Sequence, residues 1–429
     1  MRILIVSNSP WRSDNSFGNS FTNIFEGISD IEIANIYCKY GKPQTTVASR
    51  FFQITEKTII KNIIKKTPSG QEVFIESEED KKTDDGEQTF NKVKKYKNIP
   101  MYWARALIWK TGRWKSPELI KFIDDFKPEL LFIPVYQSHY IHDINQFILK
   151  RYNLPVLEYV SDDVYTLKRF SLSPLFWIDR LMVRPVMKRV FSWSKIIYVI
   201  SETQRQEYAA IFGDKFKILT KCADFSYEQK KPFKKPEEVL KMVYAGNLSK
   251  GRLDILIKLA DAVKTMNLAC RKFIFDIYTA TPIDEKSKKA LNGYGVKLHP
   301  AVSYEEIQEI QASADVLVHA EAFNKNERLA VHQSFSTKIV DYLASGKLIF
   351  AIGADDCSSI DYFIKNECGI VAESFDDIAT QLERIYNSRD KFEIYANAAW
   401  ESGRANHEKT KIKKMLHDDI VCAIESKIK

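Results

Sequence analysis

What this sequence lacks removes several classes of protein at once. Its six cysteines (Cys38, Cys222, Cys270, Cys357, Cys368, Cys422) form no C-x-x-C pair and sit beside no histidine cluster. That scatter argues against a zinc site and against a secreted disulfide framework, so a reducing cytoplasm is the expected compartment. No run is long and apolar enough to span a bilayer. The opening M-R-I-L-I-V-S-N-S-P is too short an apolar stretch for a signal peptide and reads as a first strand. No recognition motif accompanies the basic residues, so nucleic acid is not an expected partner. What is present is ample for folding: 429 residues, 45% of them hydrophobic and 12% aromatic, suggest two domains rather than one.

The net charge of +8 is unevenly placed. Basic residues gather around 57–66, 92–115, 180–195 and 230–241. Two of these clusters interleave cations with large apolar groups: Y-W-A-R-A-L-I-W-K-T-G-R-W-K, with Trp103, Trp109 and Trp114, and R-L-M-V-R-P-V-M-K-R-V-F-S-W-S-K. Such surfaces can lie on anionic membranes. They can equally be core-facing stripes with a solvated basic edge.

Strand and helix patterns alternate along most of the chain. Strands are expected at Arg2–Ser7, Ile31–Tyr37, Leu130–Pro134, Val156–Val160 and Lys195–Ile200, with helices between them. Ser201 is placed to cap the helix that follows. Residues 67–98 break the pattern; their run S-E-E-D-K-K-T-D-D-G-E-Q reads as a mobile charged loop. The stretch K-K-P-F-K-K-P-E-E, from Lys230 to Glu238, reads as a linker. A second alternating series starts at Leu240. The expected fold class is therefore α/β, with two doubly wound parallel-sheet, Rossmann-like domains facing a cleft: residues 1–232 and 239–390.

Four loops after strands carry the chemistry. In Q-S-F-S-T-K-I-V-D-Y-L-A-S-G, residues 333–346, Ser336, Thr337 and Lys338 stand where an apolar helix begins. A helix start offers unpaired N–H groups and partial positive charge to a phosphate, and Lys338 adds a full charge. Asp341 lies one turn on from Thr337, on the same face, where its carboxylate can accept ribose hydroxyls. In Y-A-G-N-L-S-K-G-R-L-D, residues 244–254, Lys250 and Arg252 flank Gly251 before the next helix and suit a pyrophosphate. In residues 8–20, Gly18, Asn19 and Ser20 can present amides to a phosphate or sugar, or simply make a surface turn. In Y-V-S-D-D-V-Y-T, residues 159–166, Asp162 and Asp163 can orient or deprotonate a hydroxyl, or cap the next helix. No Asp-x-Asp context or histidine partner makes that pair a metal site. His139 and His319 read as packed residues, while Glu321, Arg328 and His332 are placed to reach the cleft.

On these residues the second half resembles the donor domain of GT-B glycosyltransferases, most similar to family 4, whose members are retaining and metal-independent. The 333–346 segment matches the family's E-x7-E stretch in length and closing glycine. By that resemblance Asp341 takes the place of the ribose-binding second glutamate and Gln333 that of the first, which contacts the donor sugar. Gly246 to Gly251 resembles the family's G-R-L-x-x-x-K-G loop, with Asn247 in the arginine's place. Gln333 is neutral and Asp341 is one methylene short, so the match is specific over about residues 240–352 and imperfect within them.

The resemblance implies transfer of a hexose or related sugar from a nucleotide-diphosphate sugar, the co-substrate, to an acceptor hydroxyl. It implies no metal or other cofactor. Asp162 and Asp163 become the catalytic candidates. Gly18, Asn19, Gly246, Asn247, Lys250, Arg252, Glu321, Gln333, Ser336, Thr337, Lys338 and Asp341 become the donor-binding ones. The basic-aromatic clusters fit a lipid-linked saccharide acceptor and peripheral contact with the cytoplasmic membrane face, as in bacterial surface polysaccharide (capsule, O-antigen or exopolysaccharide) assembly. The last helix, from about 390 to 429, is expected to pack back on the first domain. A sugar-nucleotide 2-epimerase and a catalytically silent nucleotide binder share this fold and remain alternatives.

Overall fold

The computed structural model describes residues 1–75 and 99–428, so the charged run at 77–88 and the first part of the 92–115 cluster lie outside it. The first sheet is built from β1 (Arg2–Ser7), β2 (Glu32–Tyr37), β3 (Arg50–Ile54), β4 (Gly70–Val73), β5 (Leu130–Pro134), β6 (Val156–Val160), β7 (Ile197–Val199) and β8 (Phe216–Ile218). Its order is β4-β3-β2-β1-β5-β6-β7-β8, parallel except for β4 against β3. The second contains β9 (Leu240–Ala245), β10 (Phe273–Thr279), β11 (Val296–Pro300), β12 (Val316–Ala320), β13 (Leu348–Ile352) and β14 (Ile370–Ala372). Its order is β11-β10-β9-β12-β13-β14, all parallel.

Strands such as L-L-F-I-P and L-I-F-A-I are buried along their whole length. Helices cover both faces of each sheet, which is why these strands read as continuous apolar runs instead of alternating. β3 and β4 were not expected. R-F-F-Q-I is too short to show a period, and G-Q-E-V is a polar edge strand without one, so neither announces itself.

The C-terminal segment divides at His407. The helix Phe392–Asn406 stays with the second sheet, burying Ala399 and Trp400 against β13 neighbours. The crossing follows it, later than the 390 expected from the sequence. Helix Lys409–Ile428 packs Ile412, Leu416 and Ile420 into the first domain's core, and Asp419 accepts from Tyr198 Oη at 2.8 Å and Lys217 Nζ at 2.6 Å. Where the chain crosses, Ala223 donates to the His407 carbonyl at 3.1 Å and Lys409 to the Ala223 carbonyl at 2.9 Å. Two adjacent backbone segments therefore form the only described covalent connections between the sheets.

One core group is costly. Glu158 on β6 is fully buried, and neither carboxyl oxygen has a hydrogen-bond partner among the described residues. Burial pushes its pKa well above the usual range, against a weaker opposing pull from Lys215. The folded chain thus keeps a proton that the unfolded chain releases, and stability falls as pH rises between the two pKa values. Glu158→Gln holds no such proton. Its stability advantage should grow by up to about 1.4 kcal/mol per pH unit within that window. Thermal melts from about pH 5 to about pH 8 read this as a widening Tm gap. A gap independent of pH would mean the folded carboxyl is ionised.

Candidate active site

The strand order of the second sheet reverses between β9 and β12, so the loops that leave them diverge and open a crevice at their carboxyl ends. Arg252, first residue of the helix Arg252–Met266, bridges that crevice. Its Nε donates to the Ala320 carbonyl at 3.0 Å, and its two Nη groups donate to Asn247 Oδ1 at 2.9 Å and Glu321 Oε2 at 2.7 Å. Glu321 is 2% exposed; burial disfavours its charge, yet His319 and Arg252 hold its carboxyl below the usual range. Glu321 thus stands behind Arg252 and fixes it, which corrects the expectation that it reaches a donor sugar.

The loop before Arg252 is tight. Lys250 and Gly251 both take left-handed backbone, with φ of 57° and 78°. A Cβ at Gly251 would meet Glu327 Oε2 at 2.7 Å and Ala322 Cβ at 3.0 Å, so glycine is required by both space and φ. Gly251 as N-cap makes no side-chain bond to the helix it opens.

The 333–346 segment arrives beside this loop. Ser336 caps the helix Thr337–Leu343 without a side-chain bond, leaving the first turn's N–H groups no side chain to satisfy them. Lys338 Nζ donates to the Ala245 carbonyl at 2.5 Å and lies 2.8 Å from where a Gly246 Cβ would be. Its side chain is open to water yet ringed by protein, as a cleft-lining group is, and burial, then repulsion from Arg252, lowers its pKa. Asp341 accepts from Lys221 Nζ at 2.6 and 2.8 Å through its two oxygens. Lys221, in the crossing segment, carried no sequence signal.

Gln333 turns toward the first domain. Ser201 Oγ donates to its carbonyl at 2.8 Å, and its Nε2 donates to Glu207 Oε2 at 2.6 Å. Glu207 also meets His332 Nε2 at 2.6 Å and Lys168 Nζ at 2.5 Å. His332 Nδ1 faces the Asp356 carbonyl at 2.5 Å, so both ring nitrogens address acceptors, and the bond to Glu207 raises the His332 pKa. Burial would raise the Glu207 pKa, but bonds from His332, Lys168 and Gln333 bring it to about 2. A carboxylate therefore does stand beside Gln333, brought from the other domain, but its charge is spent on two cations. His332 and Gln333 serve this contact between the domains, and Arg328 pairs with Asp356 at 3.2 Å.

Across the cleft, the two adjacent aspartates separate in role. Asp163 accepts from the amides of Tyr165 (3.0 Å) and Thr166 (2.9 Å), from Tyr208 Oη (3.1 Å), from Thr166 Oγ1 and from Arg180 (2.8 Å). Every lone pair is committed to holding the loop, which corrects its candidacy as a catalyst. The Asp162 carboxylate has no hydrogen bond among the described residues and is open to water within a protein-ringed cleft. Burial raises its pKa, Lys250 opposes that, and Asp163 adds to it.

Gly18 and Asn19 have another task than the one expected. Asn15 Oδ1 takes the Gly18 amide at 2.9 Å and the Asn15 carbonyl takes that of Asn19 at 3.0 Å. A Cβ at Gly18 would fall 2.0 Å from the Arg12 carbonyl oxygen, so this glycine permits close packing of helix on loop. The tryptophans of the 92–115 cluster also turn inward. Trp109 and Trp114 are 1% and 5% exposed, and Trp103 donates to Asp179 at 3.2 Å. The other cluster differs. The helix Pro174–Val190 buries Val183, Met187 and Val190 but presents Leu175, Ile178, Leu181 and Met182 outward, next to Phe170 and Leu172.

Residues 226–401 match the family model described as Glycosyl transferases group 1. The second domain is thus similar to group 1 glycosyl transferases, and the chain has the GT-B fold. Among solved GT-B structures, Anabaena HepE in complex with UDP superposes with a TM-score of 0.62 at 12% identity, over 98% of this chain and 100% of that one. Sucrose-phosphate synthase from Thermosynechococcus elongatus gives 0.58 at 11%, over 98% and 99%. WaaG, a glycosyltransferase involved in lipopolysaccharide biosynthesis, gives 0.55 at 11%, also over 98% and 99%. No curated protein matches by sequence. The Arg252–Lys338 crevice lies within the matched residues, and Lys250 of its loop lies within electrostatic reach of Asp162 in the first domain.

Proposed function

We propose that this chain transfers a sugar from a nucleotide-diphosphate donor, held by the second domain, to an acceptor hydroxyl presented by the first. The observation that carries the reading is the convergence of Arg252 and Lys338 on the β9–β12 crevice, with Lys250 facing Asp162 over the gap. Negative charge builds on the departing diphosphate in the transition state, where fixed cations and uncapped helix N–H groups stabilise it most. These cations supply that charge without a metal. The group 1 similarity and the resemblance to family 4 support retention of anomeric configuration. UDP, glucose and UDP-glucose complexes of the HepE relative support a nucleotide sugar as donor. Incubation with UDP-, GDP- and dTDP-sugars, with bound and released nucleotide measured, tests the reading. Absence of any nucleotide binding overturns it.

The acceptor, in this reading, is a lipid-linked saccharide of surface polysaccharide assembly, met at the cytoplasmic face of a membrane. Among the described residues no helix is long and apolar enough to cross one. The outward stripe of Pro174–Val190 and the loop before it, flanked by Lys168, Arg169 and Arg184, fit the edge of a bilayer. Ile178 and Met182 are 46% and 52% exposed, so replacing both by Glu should leave the fold intact. Co-sedimentation with anionic vesicles should fall by about a thousandfold, since two membrane-inserted side chains and two added charges each count for about 1 kcal/mol. Unchanged sedimentation would remove the membrane from the proposal.

A further inference from the structure

The carboxylate of Asp341 sits in a place that ought to repel the ligand. It lies within electrostatic reach of Lys338, in the crevice assigned above to a diphosphate. Lys221 removes that conflict. Its ammonium bonds both oxygens of Asp341 at 2.6 and 2.8 Å, from a side chain 12% exposed, while the Asp341 side chain is 31% exposed. The pair is neutral toward an approaching anion. Each carboxylate oxygen has more than one acceptor site, so the open side can still take hydroxyl donors.

We propose that Lys221 is a positioning residue that makes the site selective for ribonucleotide over 2′-deoxyribonucleotide donors, by holding Asp341 in place to accept the ribose hydroxyls. The proposal rests on the nucleotide-sugar reading and adds a substrate class to it. Asp341 is a short side chain on the helix Thr337–Leu343, and no other cation is hydrogen-bonded to it among the described residues. Without Lys221 its carboxylate is drawn toward Lys338, the cation meant for the diphosphate. Geometry and charge then fail together.

The test compares UDP with 2′-deoxy-UDP, and GDP with 2′-deoxy-GDP, by calorimetry on the full chain. A hydroxyl bonded to a charged acceptor gives the native chain a ribose preference of about tenfold or more. Lys221→Met should bring that preference below about twofold and also weaken the ribonucleotide itself, because the Asp341 charge is unmasked. The double variant Lys221→Met with Asp341→Asn should bind ribonucleotide more tightly than Lys221→Met alone. Lys221→Gln is read the same way if the Met variant does not melt cooperatively. A merely structural lysine would weaken ribo- and deoxyribonucleotide equally, and an unchanged ratio in either variant overturns the proposal. So does a native chain that binds both forms alike. A native chain that binds none of the four nucleotides instead overturns the nucleotide reading beneath it.

Discussion

Lys338→Met should weaken nucleoside-diphosphate binding by about 30- to 100-fold, the scale of one desolvated charge-assisted contact, while leaving the chain at least as stable as before. The second half of that expectation is the unusual one. Lys338 is held in the crevice against its own preference: burial and Arg252 both lower its pKa, and its ammonium donates to a neutral carbonyl, that of Ala245. A lysine whose folded pKa is depressed binds fewer protons folded than unfolded, so stability rises with pH through the window between the two values. Replacing it removes both the repulsion and that slope. Calorimetric titration with UDP and GDP, beside melts at rising pH, separates the two effects. Weak binding with lowered stability would make Lys338 a structural lysine.

The neighbouring cation is the wrong one to remove for this purpose. Arg252 donates to Glu321, which is 2% exposed, and its loss would leave a buried carboxylate without that hydrogen-bonded cation. That costs about 3–5 kcal/mol of stability in buried pairs generally, enough to confuse a binding measurement. Lys338 has no such dependant, which is why it is the cleaner probe.

How far the sequence reveals this site depends on whether a residue acts through its neighbours in the chain or across the fold. The β9 loop and the Ser336 helix start were legible, because a strand, a tight glycine turn and a helix opening are local patterns and their cations fall inside them. Lys221, Lys168 and Glu207 were not. Glu207 lies on the Ser201-capped helix that the sequence did indicate, yet its partners His332 and Gln333 are more than a hundred residues away. The three tryptophans show the same limit from the other side. Composition could not tell a membrane-facing stripe from a core-facing one, and the packing of Trp109 against Tyr140, stacked at 4.4 Å, settles it for that residue. Gly18 looked like a phosphate turn because the sequence cannot show that Arg12 doubles back against it.

The two aspartates of the 159–166 loop are adjacent in sequence and opposite in consequence, and the second large prediction depends on that. Asp162→Asn should lower the rate of sugar transfer by about a hundredfold or more, within the usual range for a lost acid–base group, with nucleotide affinity changed by less than about twofold. The carboxylate has no hydrogen bond among the described residues, faces Lys250 over the cleft, and has a pKa raised by burial and by Asp163. A raised pKa brings a base closer to the pH at which it must accept a proton, so the acid limb of the rate profile should lie above the ordinary aspartate range and vanish in the variant. Asp163→Asn should do the reverse. It breaks a half-buried hub that binds the buried Arg180, Tyr208 and two loop amides, so it should cost about 2 kcal/mol or more in melts by leaving Arg180 without its carboxylate. If both variants lose rate and stability together, the loop is one structural unit and Asp162 has no separate chemical role. If only Asp162→Asn loses rate, with Lys338→Met losing affinity, the division between a first domain that prepares the acceptor and a second that holds the leaving diphosphate is carried by one residue on each side of the cleft.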